Sequence, residues 1–73
     1  MSHAYHFLWH LWAIRGYSVK VVHYAREEER VGRLWRDPVI QSYGWYGQAE
    51  GLAYQGKTKT AVELAERAVS TLR

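Results

Sequence analysis

Residues 56–72 read GKTKTAVELAERAVSTL, and the spacing within this stretch decides the fold class. Ala61, Ala65, Ala68 and Leu72 recur at helical intervals, and Val62, Leu64 and Val69 widen the apolar stripe. The polar side carries Glu63 and Arg67 at i, i+4, the acid first, which is the favourable order. Thr60 and Glu63 are spaced as a capping box. Gly56 stops whatever precedes, and Thr58 and Thr60 are the residue type that caps a new helix. The stretch predicts a helix over about 59–72.

The same punctuation recurs upstream. Gly16 is followed by Ser18, and Asp37-Pro38 sets a capping carboxylate before a proline at the first helical position. Four helices are therefore expected, over about 4–15, 18–35, 38–55 and 59–72, with no period-two strand pattern anywhere. They pair as two antiparallel hairpins, 4–35 and 38–72, within a single small domain spanning 1–73. The fold class is all-α. On the second helix Val21, Tyr24, Ala25, Val31 and Trp35 form the apolar side, and the Glu27-Glu28-Glu29 run reads as a solvated face. In the third, Gly44, Gly47 and Gly51 each cost roughly 1 kcal/mol against alanine. Either a loop breaks the helix near Gly44–Gly47, or the three, sharing one face, let another helix approach closely.

Seventy-three residues lie near the lower limit for a core without staples. Four Trp, six Tyr and one Phe supply the bulk that such a core needs. The absence of cysteine excludes disulfides and thiolate metal sites, and a reducing, cytoplasmic setting is the expectation. The net charge of +3 permits nucleic acid without pointing to it. The apolar run Ala4–Ile14 is too short to span a bilayer, is interrupted by His6 and His10, and lacks the flanks of a signal peptide. A soluble, unprocessed chain is expected.

Residues 45–72, WYGQAEGLAYQGKTKTAVELAERAVSTL, resemble a tetratricopeptide repeat, an antiparallel helix pair with small and aromatic residues at fixed offsets. Trp45 falls at the family's aromatic start and Ala49 at its small packing position. Gly56 matches its turn, and Ala61, Ala65 and Ala68 match the small residues of its second helix. Gln48 and Leu52 depart from the pattern, as does the want of a closing proline before Arg73. A shift of forty residues lays the first half on the second, pairing Ala13 with Ala53, Gly16 with Gly56, Val22 with Val62, Ala25 with Ala65 and Arg33 with Arg73. Trp9 against Ala49 and Glu28 against Ala68 break that match, so residues 5–33 form at best a degenerate repeat.

The resemblance implies that the first helix of a pair lines a concave ligand groove, and it carries Tyr43, Tyr46, Glu50 and Tyr54 onto that surface. By the forty-residue shift, His3, His6, His10 and Ile14 face the same way. Tyrosine offers rigid contact area with a polar tip, as at binding hot spots; alternatively these rings complete an undersized core. Tyr5, Phe7, Leu8, Trp9, Leu11, Trp12 and Ile14 nearly encircle the first helix, which predicts a partner or dimer interface over it. The expected function is a non-enzymatic protein-binding module, a small adaptor or stoichiometric inhibitor acting as a homodimer, without a cofactor.

Two other classes have some footing. Arg15, Lys20, Arg26, Arg30, Arg33 and Arg36 could form a basic nucleic-acid surface, although the three glutamates interrupt it. His3, His6 and His10, at i, i+3, i+7, present three imidazoles on one face, a geometry able to bind zinc, copper or nickel. Imidazoles among aromatics also serve as plain packing, and no metal ligand is assigned. No phosphate loop, nucleophile elbow or His-Glu metal motif is present, and Ser18, Ser42 and Ser70 read as caps or surface residues.

Overall fold

The computed structural model describes the backbone of residues 2–72 and the side-chain surroundings of residues 6–72. Four helices follow one another: α1 (Ser2–Ile14), α2 (Ser18–Leu34), α3 (Pro38–Tyr54) and α4 (Thr58–Thr71). There is no strand among the described residues. The all-α architecture is as expected, and the loop reading of Gly44–Gly47 is overturned, because α3 runs unbroken through all three of its glycines.

Each helix turns back on its predecessor through a three-residue connection whose geometry repeats every twenty positions. Gly16, Arg36 and Gly56 adopt positive φ, at 79°, 53° and 80°. Their N–H groups donate to the carbonyls of Ala13, Arg33 and Ala53, and the next N–H groups, of Tyr17, Asp37 and Lys57, donate to Trp12, Gly32 and Leu52. This doubly bonded helix ending satisfies carbonyls left open at a C-terminus. It also shortens the connection, so the cap positions of α2 and α4 fall on Tyr17 and Lys57, neither of which makes a side-chain cap bond. Ser18 and Thr58 thus open their helices from inside and Thr60 lies a turn within, which corrects the capping role expected of them. Asp37 does cap: its carboxylate accepts from Val39 and Ile40 at 3.1 and 3.2 Å, with Pro38 at the first helical position.

The most extensive contact is between α2 and α3; α1 packs on α2 and reaches α3, and α4 packs on α3. The molecule is a flattened body of 30 × 25 × 14 Å. Glycine makes the central contact. A Cβ on Gly44 would run into the backbone of Glu29, and one on Gly32, a position the sequence did not single out, into the backbone of Gln41. On Gly47 a Cβ would sit 2.6 Å from Ala25 Cβ and 2.7 Å from Trp9, and on Gly51 2.6 Å from Val22. The helix-propensity cost of glycine is therefore offset by an approach that no side chain permits.

Above this contact lies a core of Trp9, Val21 and Ala25, flanked by Trp12, Ala13 and Tyr24. Two expectations for α2 are corrected here. Glu28 and Glu29 are 1% and 5% exposed, not solvated, since they lie on the side that α3 and α1 cover. Trp35, expected on the apolar side, is 78% exposed because α2 ends one residue earlier.

Candidate protein-binding groove

α1, α3 and α4 enclose an open groove of about 700 Å³. One wall is His6, Trp9 and His10 of α1, the floor is Ser42, Tyr43 and Tyr46 of α3, and the other wall is Ala65, Ala68 and Val69 of α4 with Leu72 at its C-terminal cap. Ser42 is buried, contrary to a cap or surface role, and its hydroxyl donates to the Ala68 carbonyl at 2.8 Å, fixing α4 against α3. Of the residues expected on a groove, His6, His10, Tyr43 and Tyr46 meet there. Glu50 lines an adjoining hollow of about 300 Å³ with Tyr46, Ala49 and Ala61. Tyr54 stands beyond both, exposed at the end of α3, and its hydroxyl donates to Glu50 at 3.3 Å. The Glu50 charge holds that phenol above its usual pKa.

The residues expected on an outer face of α1 divide. Trp9 is wholly buried, which corrects its assignment to an interface: it fills the space that Gly47 leaves open. Leu8, Leu11 and Trp12 are half-buried, and Phe7 is 65% and Ile14 85% exposed. His3 and Tyr5 lie outside the residues whose side chains are described. The α4 wall was not foreseen, although Val69 and Leu72 belong to a stripe wider than one neighbouring helix can cover.

Behind the groove, side chains form a chain from core to surface. The Trp9 indole N–H donates to Glu28 Oε1 at 2.8 Å. The Nδ1 atom of His6 lies 3.4 Å from Glu28 Oε1 and 3.3 Å from Oε2. The Nε2 atoms of His6 and His10 are 3.0 Å apart. Burial pushes the Glu28 carboxyl above the usual value, while the Trp9 hydrogen bond and the neighbouring histidines pull the other way. His10 stacks on Trp9 with centroids 4.0 Å apart, and His6 lies 4.9 Å from the Tyr43 ring. The two positions that break the forty-residue match, Trp9 and Glu28, are thus bonded to one another, and their counterparts Ala49 and Ala68 are buried too.

Four of the six cations expected on a basic surface have described partners. Arg15 and Lys20 lie over the Trp12 ring, Arg30 is paired with Glu27 at 2.8 Å, and Arg33 reaches Glu29 at 3.9 Å. Arg67 lies over Trp45 at 4.8 Å. Among the described residues, no helix is long and apolar enough to cross a membrane. Comparison with known proteins found no matching family model, no matching curated protein and no matching solved structure.

Proposed function

We propose that this chain is a non-enzymatic protein-interaction module, a cytoplasmic adaptor or stoichiometric inhibitor that receives an apolar helical segment of another protein in the groove between α1 and α4. The observation that carries the reading is the groove itself: its α4 wall is aliphatic, and its floor presents two half-exposed tyrosines, Tyr43 and Tyr46, with polar tips. An amphipathic helix docks in such a groove through apolar residues at i, i+3, i+4 and i+7. Tyrosine lends contact area at small entropic cost. The likeness of 45–72 to a tetratricopeptide pair agrees with this choice of face. A second copy is proposed on an adjacent side of α1, where Phe7, Leu11 and Ile14 lie along one stripe at helical spacing.

The test pairs two measurements. A photo-crosslinking residue in place of Tyr46 should tag a partner in the native host, whereas the same group at exposed Lys59 should not. Tyr43→Ala with Tyr46→Ala should then lower partner retention at least tenfold with the helical circular dichroism unchanged. Undiminished capture by the double variant would sink the groove reading. Collapse of the fold would show that the rings are structural. For the dimer, light scattering should give twice the chain mass in the wild type and a monomer in Phe7→Glu; a monomeric wild type at all concentrations overturns it.

A further inference from the structure

We propose that His6 and His10 form a two-imidazole site for a zinc-like divalent ion at the mouth of the groove, with Glu28 orienting His6 from behind. The two residues are one helical turn apart on α1 and share a face. Two nitrogens bound to one zinc at about 2.0–2.1 Å, at an angle between a right angle and the tetrahedral value, stand about 2.9–3.4 Å from each other. The Nε2 atoms here are 3.0 Å apart. The ring centroids are 4.4 Å apart, closer than the roughly 5.3 Å of imidazoles placed end to end in a straight N–H···N bond. The rings thus lean together rather than meeting end to end, beside the groove that both residues line.

Glu28 decides which nitrogen of His6 is free. When Glu28 is ionised it can only accept, so with Trp9 donating to it the proton shared with His6 belongs to Nδ1. The Nε2 lone pair then faces His10. A carboxylate behind a ligating histidine is the usual support for zinc, fixing both the tautomer and the ring orientation. In the ion-free pair one imidazole must donate to the other. On binding, the His10 proton moves through solvent from Nε2 to Nδ1, with no net proton lost, and both lone pairs reach the ion. His10 is exposed and His6 partly so, leaving the remaining coordination positions to water or to a donor from the groove's occupant. Imidazole donors select zinc-type ions over magnesium or calcium. This inference stands apart from the proposed protein-binding function, since it needs no partner.

Calorimetric titration of the full chain with zinc tests it, supported by thermal melts with and without a chelator. One ion per chain is expected, with a higher melting temperature. His10→Ala, an exposed substitution that leaves the core intact, should weaken binding at least tenfold, as should His6→Ala. Glu28→Gln should weaken it 10- to 100-fold, because its amide can donate to Nδ1 and drive the His6 proton onto Nε2. Histidine ¹⁵N shifts read that tautomer change directly. His23→Ala, on α2 and away from the pair, should bind as the wild type does. No saturable zinc binding in the wild type, undiminished affinity in His10→Ala, or loss of binding in His23→Ala overturns the site.

Discussion

The two sides of α3 solve opposite problems with opposite residues. Toward α2 the helix is nearly bare, with Gly44, Gly47 and Gly51 against α2 and Trp9, and Gly32 answering from α2. Toward the groove it carries Tyr43 and Tyr46, about half exposed. The first side is closed by main chain on main chain and has no room for adjustment. The second is held open by bulky rings and an aliphatic wall, and it has room for something else. One helix therefore anchors the fold and displays a surface at once, and the difference teaches that stability and recognition can be altered separately here.

The largest effect should come from breaking the bare side. In an isolated helix Gly44→Ala would stabilise by roughly 1 kcal/mol. In this fold the added methyl meets the Glu29 backbone, which cannot rotate away, so the helices must separate. A net loss of about 2–3 kcal/mol is expected, a large share of the total for a chain of this size. Urea unfolding followed by circular dichroism measures it. A stabilised variant would mean that the α2–α3 approach is looser than described.

A smaller effect concerns Glu28, which joins the two sides. Its carboxyl is raised above an ordinary value of 4.5, chiefly by burial, so the folded chain holds this proton to higher pH than the unfolded chain does. Its contribution to stability is therefore fully present below the unfolded value and is lost as pH rises through the folded one. Glu28→Gln keeps an acceptor for Trp9 but removes the titration. In buffer containing a chelator, the wild type should lose stability relative to Glu28→Gln as pH climbs from the usual carboxylate range, with unfolding midpoints measured at each pH. A pH-independent difference between the two proteins would remove Glu28 as the cause.

What was legible in the sequence follows the same division. The helices were plain because Gly16, Gly56 and Asp37-Pro38 act locally, through backbone freedom and capping. The bare face of α3 was legible because three glycines in one helix demand a reason. Gly32 was not, because a single glycine amid charged residues gives no pattern until its neighbour on α3 is known. Glu28 looked solvated for a related reason: a run of acids on a helix reads as surface, and only the distant Trp9 and His6, 19 and 22 residues away, make it interior. Four groove residues were implied by the tetratricopeptide resemblance and the forty-residue shift, whereas the α4 wall depends on how far α3 covers α4. That is a tertiary quantity with no local signal.

The smallest effect sharpens the comparison at the turn joining its two helices. Arg36 occupies the position that Gly16 and Gly56 hold in the equivalent turns, and it does so at a φ of 53°, where a side chain crowds its own backbone. A non-glycine residue there costs about 1–2 kcal/mol, part of which glycine returns through greater freedom in the unfolded chain. Arg36→Gly should therefore stabilise by about 0.5–1 kcal/mol, raising the unfolding midpoint without changing the denaturant slope. It leaves the Gly32–Gln41 approach and the groove untouched. Together with Gly44→Ala it separates two uses of glycine: at position 36 a glycine is missing and its addition should help, while at position 44 one is present and its removal should harm. Destabilisation by Arg36→Gly would show that the arginine side chain makes a contact whose worth exceeds the strain, and the three turns would then not be equivalent.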